Sequence, residues 1–449
     1  MDIATRMLLM DGGKFAPSSL FRANEQGVWY DPSDLTTLFQ NAAGTIPVTA
    51  VEQPVGLMLD KSGRGNHAYQ ATSANRPTLS ARVNLCNHTE LNVAQLGFPK
   101  GTIPPTIAAA TYAGVPIEAI TFPAGVSTYP MSRRESSATG SWTQVNGVRY
   151  VISLEVALSR PLVENEALII FQTGVQGQNN GIVITAATNN PTVLQRYTSY
   201  HTADRDGGMG TYVFVGDDPL TAPVTVYITK FDVRHTNHGT DLPPYQRVTT
   251  DTDYDTVGFP PYLAFNGTSS SMVTNSIDFS ATDKMSVWAG VRKLSDATTR
   301  SLFVFGTSGT AAGSFEWLFP PNPSSIRLEC AYVGDSGVAG NYMQVDTEQA
   351  PASSVIHTSI VSSLQPYLGG VNIRYNGELK PSVQQNNMET SGNFGNFALT
   401  IGKRPTGVLF LGNIYSLIAR GAIARGAQST DKQVSNAESW INKKIGKVY

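Results

Sequence analysis

Four aromatic residues in the middle of the chain have the type and the setting for carbohydrate recognition. They lie in or beside polar loops, and they are Trp142, Tyr197, Tyr200 and Tyr212. Sugars offer CH faces that stack on flat rings, while neighbouring Asn, Gln and Asp side chains hydrogen-bond the sugar hydroxyls. Rings of this kind also fill the core or the rim of a β domain, so a structural role is the competing interpretation.

One pair of carboxylates has the composition of a glycosidase site. Glu164 and Glu166 flank Asn165, and alternate residues of a strand point to the same side. A glycoside hydrolase needs two carboxyl groups about 5–10 Å apart beside the sugar. Here the pair follows Pro161 in an apparent loop, so a solvated turn is favoured. We predict that the protein is not an enzyme, and a polysaccharide-degrading enzyme is the less favoured alternative.

Two groups of aspartates could supply oxygen ligands to calcium. The first group is Asp204, Asp206, Asp217 and Asp218, and the second is Asp31, Asp34 and Asp60. The first group lacks the spacing of the known calcium loop, and turn and cap hydrogen bonding is the competing role of the second group, because Asp beside Pro or Gly suits turns. We therefore predict no cofactor, with calcium at the first group as the alternative.

Histidine and cysteine side chains, the softer metal ligands, do not form a zinc pattern. His235 and His238 are three residues apart, but no cysteine or third histidine lies near them. We interpret both as loop imidazoles. Cys86 and Cys330 fit no disulfide or zinc spacing, which indicates two free thiols.

The low content of charged residues limits the classes of partner that this chain can bind. Charged residues make up 15% of the 449 residues, the net charge is −2, and no long basic run is present. The electrostatic basis of nucleic-acid binding is therefore missing. No window approaches the ~20 apolar residues of a membrane-spanning helix. Residues 7–10 form a shorter apolar run than the roughly 7–15 residues of a signal peptide, so we expect no export by that route.

The elements that position these residues are mostly β-strands. Apolar residues occupy every second position from residue 148 to 158, which predicts a half-buried strand. The alternation from Val224 changes phase near Lys230, which indicates a bulge. Asn376 and Gly377 predict a hairpin turn. Residues 407–411 and 414–419 read as two separate strands.

The convincing helix is the last element of the chain. Thr430 and Gln433 form a capping box ahead of an apolar stripe. Trp440 is expected to dock this helix, while Trp29, Trp288 and Trp317 lie in strand patterns and are predicted to be core residues.

Several stretches at the two ends of the chain resemble one family. They are GVWYDPSDL at 27–35, LDKSGRGNHA at 59–68, RP at 76–77, FNG at 265–267 and GNIYSLI at 412–418. Together they resemble the laminin-G-like, concanavalin A-like domains of phage virion proteins. The middle of the chain resembles, more weakly, carbohydrate-binding-module-like sandwiches.

The resemblance implies an all-β chain in which one sandwich interrupts another. A discontinuous concanavalin A-like jelly roll would comprise residues 25–84 and 255–449, and a carbohydrate-binding-module-like β-sandwich would be inserted at 85–254. Residues 1–24 would form an N-terminal arm or anchor. Insertion is tolerated where the two ends of the inserted segment lie close together at a surface loop.

The resemblance also implies a function without catalysis. The chain is expected to be a structural component of a bacteriophage virion, tail-associated or of the fibre or decoration type. Its partners would be other virion proteins and further copies of itself, with a trimer favoured, and host cell-surface glycans. It would be made in the host cytoplasm and released by lysis. A glycan-binding receptor-recognition protein is the alternative.

Overall fold

The structure is a computed structural model that is nearly all β. It describes residues 15–90, 98–100, 103–125, 131–133, 142–172, 182–188, 190–209, 211–216, 218–236, 242–295, 297–309, 311–319, 329–335, 341–345, 355–363, 372–385, 392–422 and 429–446. The predicted fold class, a β-sandwich interrupted by a second one and closed by a C-terminal helix, is confirmed.

The chain divides into two compact units. Unit 1 comprises Met1–Ala81, Gly239–Asp241 and Pro260–Tyr449, and unit 2 comprises Arg82–His238 and Leu242–Phe259. The first fourteen residues of the predicted arm lie outside the described part of the chain. Leu20 and Phe21, near the end of that segment, are buried in unit 1.

The strands are numbered in chain order. Unit 1 begins with β1 (Gln26–Tyr30), β2 (Leu38–Phe39), β3 (Leu57–Met58), β4 (Ala68–Tyr69) and β5 (Thr78–Ser80). Unit 2 contains β6 (Phe98–Lys100), β7 (Thr106–Tyr112), β8 (Val115–Phe122), β9 (Met131–Arg133), β10 (Trp142–Gln144), β11 (Arg149–Leu158), β12 (Ala167–Gln172), β13 (Ile182–Thr185), β14 (Gln195–Thr202), β15 (Gly207–Met209), β16 (Thr211–Val215), β17 (Val224–His235), β18 (Val248–Thr250) and β19 (Asp253–Tyr254).

The remaining elements belong to unit 1. Its later strands are β20 (Tyr262–Asn266), β21 (Met272–Asp278), β22 (Lys284–Lys293), β23 (Arg300–Phe305), β24 (Phe315–Phe319), β25 (Glu329–Tyr332), β26 (Asn341–Val345), β27 (Val355–Ser363), β28 (Asn372–Tyr375), β29 (Glu378–Lys380), β30 (Ser382–Gln385), β31 (Asn396–Ile401) and β32 (Leu411–Gly421). The described part of unit 1 also contains three 3-10 helices, η1 (Pro17–Leu20), η2 (Leu35–Thr37) and η3 (Ser73–Asn75), and the α-helix α1 (Asp431–Lys444).

The described strands of unit 1 form two antiparallel sheets. One has the order β29-β28-β27-β22-β32-β20-β5, and the other has the order β2-β3-β4-β21-β31-β23-β24-β25-β26-β30. Strand β1 also pairs with β32, from Gln26 opposite Gly421 to Tyr30 opposite Leu417. An early segment and the last strand of the chain therefore close the same sheet, as the resemblance implies.

The first sheet of unit 1 buries apolar residues on both of its faces. Val287 and Ala289 on β22 point into the core between the sheets, where Trp317 is also buried. Trp288, between them on the same strand, points to the other face and is buried in a second apolar cluster with Trp29. The alternation of side chains along a strand produces this division. The predicted core positions of all three tryptophans are confirmed.

Helix α1 covers the second apolar cluster. Its residues Val434, Ala437 and Ile441 pack there, and the predicted capping box between Thr430 and Gln433 is present. The described helices include none that is long and apolar enough to cross a membrane.

The sequence predicted two strands, at 407–411 and 414–419, and this prediction was wrong. The structure has one long strand, β32, that begins at Leu411. The residues before it form a turn, because Gly407 has a φ of +110° and its N–H donates to the carbonyl of Arg404. A positive φ is easily adopted by glycine and ends an extended segment.

Unit 2 is also a sandwich. Its two larger sheets have the orders β14-β11-β17-β8-β7 and β13-β12-β16-β9-β6, and β10-β15 and β18-β19 form two-stranded sheets. The alternation predicted for residues 148–158 is confirmed on β11, where Tyr150, Ile152 and Leu154 are buried. The predicted bulge is also present, because Lys230 has a φ of 51° and the pairing of β11 with β17 shifts beside it.

Candidate functional site

Strand β14 lies at the edge of its sheet and carries two of the predicted sugar-stacking residues. It pairs with β11 from Arg149 opposite Thr202 to Val156 opposite Gln195. The prediction that Tyr197 and Tyr200 lie in or beside loops was therefore wrong. The segment QRYTSYHT contains no aliphatic residue, so its hydrophobic pattern is weak. Its Thr and Tyr residues, which favour strands, were the available signal.

The two tyrosines of β14 face opposite sides of the sheet. Tyr197 stands opposite Leu154, which points into the core of unit 2, and Tyr200 stands opposite Val151 on the outer side. An odd separation along a strand reverses the direction of the side chain. The structure therefore does not bring these two rings together on one surface.

Tyr200 is an open aromatic platform. Its side chain is 56% exposed, and the guanidinium of Arg149 lies 5.3 Å from its ring centroid. Such a cation over a ring face is attracted by the ring quadrupole and holds the ring in place. Thr198 and Thr202 are exposed on the same side of β14. We call this outer surface the Tyr200 face, defined by Arg149, Val151, Arg196, Thr198, Tyr200 and Thr202.

A second tyrosine–arginine pair lies at the other end of the Tyr200 face. The guanidinium of Arg196 is 5.7 Å from the Tyr245 ring centroid and donates to Ser153 Oγ at 2.6 Å. Burial lowers the pKa of Arg196, and the charge of Asp232 opposes that shift. The Tyr245 hydroxyl donates to Glu90 at 3.2 Å. Sequence reasoning missed both arginines, because their pairing depends on register and on a distant segment.

A buried polar cluster holds the Tyr245 segment against β17. Asp232 Oδ2 accepts from Arg234 Nη2 at 2.7 Å and from the backbone N–H of Gln246 at 2.9 Å. Asn84 Nδ2 donates to the carbonyls of Phe231 and Gln246. Burial raises the pKa of Asp232, while the charge and hydrogen bond of Arg234 oppose the shift. This cluster is structural and supports one end of the Tyr200 face.

Trp142 and two histidines belong to the interior of unit 2. Trp142 is 4% exposed, and its ring lies 4.6 Å from Tyr150 and 6.4 Å from His201 between centroids. His235, 5.2 Å from Tyr150, is buried on β17. The loop interpretation of His235 was therefore wrong, because β17 extends through that position. His238 and the side chain of Tyr212 lie outside the described residues. A ring as buried as Trp142 offers little surface to a sugar.

The aspartates of the calcium prediction do not gather into a ligand cage among the described residues. No group of three or more His, Cys, Asp or Glu side chains in that part of the chain could hold a metal. Asp204 and Asp206 are exposed in the turn after β14, and Asp206 accepts from the Asn146 N–H at 2.7 Å. Asp218 is exposed, and Asp217 lies outside the described residues. Calcium stays a sequence prediction.

The second aspartate group shapes turns in unit 1. Asp60 accepts from the backbone N–H groups of Trp29 at 2.9 Å, Ser62 at 2.9 Å and Asn66 at 3.1 Å. Asp34 caps η2 through the Thr36 N–H. The turn-and-cap interpretation is confirmed for Asp34 and Asp60.

The carboxylate pair with the composition of a glycosidase site is separated by its own turn. Asn165, between Glu164 and Glu166, has a φ of 70°. Glu164 is exposed, while Glu166 is buried and accepts two hydrogen bonds from Arg160 at 2.7 and 2.8 Å. Hydrogen bonds from Arg160, Thr221 and the Val163 N–H lower the pKa of Glu166 to about 2 against the effect of burial. Glu166 is thus held as an anion.

Comparison with solved structures finds distant β-sandwich domains. Domain 4 of the GH43 extracellular arabinanase AbnA of Geobacillus stearothermophilus is 16% identical, covering 41% of this chain and 78% of that one, with a TM-score of 0.29. The CBM40 of the Ruminococcus gnavus IT-sialidase is 12% identical over 39% and 95%, with a TM-score of 0.26. The CBM22-1-CBM22-2 tandem domain of Paenibacillus barcinonensis Xyn10C is 10% identical over 76% and 98%, with a TM-score of 0.23.

These likenesses are too distant to carry an argument about function. No protein-family model matches the chain, and no curated protein matches it. Nothing in the comparisons shows a virion protein. The virion context is therefore a prediction that rests on the sequence resemblance.

Proposed function

We propose that this protein is a non-enzymatic, glycan-binding component of a bacteriophage virion and that its carbohydrate site is the Tyr200 face. The observation that carries the glycan proposal is the exposed Tyr200 ring, held on an edge strand by the Arg149 guanidinium. The virion placement, tail-associated or of the fibre or decoration type, rests on the sequence resemblance.

The chemistry of the Tyr200 face suits a sugar. One face of a pyranose is lined with CH groups that stack on a phenol ring, and its edge carries hydroxyls that need hydrogen-bond partners. Arg149, Thr198 and Thr202 are exposed around Tyr200 and supply donors and acceptors. A rigid strand holds these groups in register, so little ordering entropy is lost on binding.

The non-enzymatic part of the proposal draws support from Glu166. A general acid must carry a proton near the working pH, and a carboxyl with a pKa of about 2 does not. Its exposed neighbour Glu164 is separated from it by Asn165, which has a positive φ.

Two tyrosine variants of the full chain test the glycan site. The wild type is first screened against bacterial surface polysaccharides, and the best binder is titrated calorimetrically. Tyr200→Ala is expected to weaken binding on the order of tenfold, the loss typical of a stacked anchor residue. Tyr197→Ala, on the opposite side of the same strand, is the matched control and should bind as the wild type does.

The same titration can contradict the site. Unchanged binding by Tyr200→Ala would remove the Tyr200 face from the proposal. Loss in Tyr197→Ala alone would move the site to the other side of β14.

The virion placement has its own test. Purified phage particles should contain this chain at a fixed copy number by quantitative mass spectrometry, and the isolated chain should be a trimer by light scattering. Absence from purified particles would contradict the virion role and leave the glycan site untouched. A monomer would contradict the trimer.

A further inference from the structure

The side of the sheet that contains the Tyr200 face carries more positive than negative charge. The charged residues on this outer side of β11, β14 and β17 are Arg149, Glu155, Arg196, Lys230, Asp232 and Arg234. Both acidic side chains already form an ion pair on this side of the sheet. Lys230 Nζ lies 3.0 Å from Glu155 Oε2, and Arg234 Nε lies 2.6 Å from Asp232 Oδ1. Among the described residues, Arg149 and Arg196 have no ion pair. This surplus stands out on a chain whose net charge is −2.

The two arginines without an ion pair lie on a line along β14, with Tyr200 between their backbone positions. Arg149 is opposite Thr202, and Arg196 is six residues earlier on β14. At about 3.3 Å per residue, the two backbone positions are roughly 20 Å apart. Tyr200 and Thr198 lie between them on the same side of the strand. An extended chain lying along β14 would meet a cation, a ring, a hydroxyl and a second cation in that order.

We propose that the Tyr200 face binds an anionic polysaccharide whose carboxylates meet Arg149 and Arg196 while one sugar ring stacks on Tyr200. The proposal rests on the glycan site proposed above and names its ligand class. The guanidinium presents parallel N–H donors that match the two oxygens of a carboxylate. Arg196 is half-buried, so its attraction for an anion is screened less than that of a fully exposed group.

The experiment compares three polymers on the full chain. Polygalacturonate carries carboxylates, its carboxyl-reduced form has the same backbone without charge, and dextran sulfate carries sulfates instead. We expect polygalacturonate to bind about tenfold more tightly than its reduced form at low salt, and this advantage should shrink as salt screens the charges.

Three charge variants sharpen the comparison. Arg149→Met should lose most of the preference for polygalacturonate. Arg149→Lys should retain part of that preference, because an ammonium keeps the positive charge but lacks the two parallel N–H donors of a guanidinium. Lys432→Met is the matched control, since it removes an exposed positive charge from α1 in unit 1. It should leave all three affinities unchanged.

The outcomes separate this inference from the proposed function. Equal binding of polygalacturonate and its reduced form would overturn the anion preference and leave the glycan site standing. Tighter binding of dextran sulfate would overturn the carboxylate assignment. Equal losses in Arg149→Met and Lys432→Met would show unspecific charge attraction and overturn the site. Failure of every polymer to bind would overturn the anion preference, while the glycan site is judged separately by the titration with bacterial polysaccharides.

Discussion

The outer faces of two sheets, one in each unit, differ in what covers them. On β22 and β32 of unit 1, Trp288, Tyr415 and Ile418 point outward and lie beneath helix α1. On β11 and β14 of unit 2, Arg149 and Tyr200 point outward and are exposed. The described part of unit 2 contains no α-helix.

This difference shows that the outward-facing residues of a sheet determine whether that face is covered by another element or stays exposed. Both sheets bury one face in a sandwich core, but large apolar residues on the other face require a second cover. Gly290 on β22 allows that cover to approach closely, because a Cβ atom there would lie 2.8 Å from Ile445 Cγ2. Polar residues and a single ring need no cover, so they stay available for a ligand.

The largest expected effect on stability comes from removing the Trp288 ring from the face of unit 1 that α1 covers. Trp288 is fully buried, and Trp288→Ala should lower the free energy of unfolding by about 3–5 kcal/mol. Urea unfolding followed by circular dichroism measures this. Thr198→Ala on the open face is the control and should change stability by less than about 0.5 kcal/mol. A loss below about 1 kcal/mol in Trp288→Ala would contradict the view that α1 seals an essential apolar face.

The next effect concerns the buried anion of unit 2. Glu166→Gln should destabilise unit 2 by about 1–3 kcal/mol, because donors of Arg160 and Thr221 lose a charged acceptor. The pKa of Glu166 in the folded chain is about 2. Its stabilisation is therefore complete above about pH 4.5 and declines as the pH falls toward 2. Urea unfolding at a series of acidic pH values should show that the free energy of unfolding falls with pH in the wild type and falls less steeply in Glu166→Gln. Equal slopes in the two proteins would contradict a contribution from Glu166.

A smaller acid effect should come from His201. Burial lowers the pKa of its imidazole, while the charge of Asp204 opposes that shift, and Gln144, Trp142 and Tyr150 face the ring. The neutral form is favoured in the folded chain. Stability from this group is full above about pH 6.5 and declines as the pH falls through the lower folded pKa. His201→Gln should reduce the change in unfolding midpoint between pH 8 and pH 5, and an unchanged difference would exclude His201 as its source.

The smallest expected effect on stability is at the candidate site itself. Tyr200→Ala removes a ring that is more than half exposed, so the free energy of unfolding should change by less than about 0.5 kcal/mol. Thermal melting of the variant beside the wild type checks this. A loss above about 2 kcal/mol would mean that Tyr200 is a packing residue and would weaken its role as a platform.

Local signals predicted much of the fold. The alternation on β11, the bulge at Lys230 and the capping box at Thr430 each arise from neighbouring residues in the sequence. The hairpin at Asn376 and Gly377 is present as well, between β28 and β29, with both residues at positive φ. Such features depend on backbone preferences that act over a few residues.

The candidate site could be predicted only in part. The opposite directions of Tyr197 and Tyr200 follow from their odd spacing once β14 is recognised as a strand, but its weak hydrophobic pattern concealed it. The burial of Trp142 against Tyr150 depends on a contact between strands. The position of Arg149 beside Tyr200 depends on register, which is set by tertiary packing rather than by either segment alone.

The most direct test of the open face as a glycan site is amide hydrogen exchange of the full chain with and without a polysaccharide that it binds. The account predicts slower exchange in β14 and the adjoining residues of β11, with α1 and the rest of unit 1 unchanged. Slower exchange confined to the β13-β12-β16 sheet or to unit 1 would contradict it.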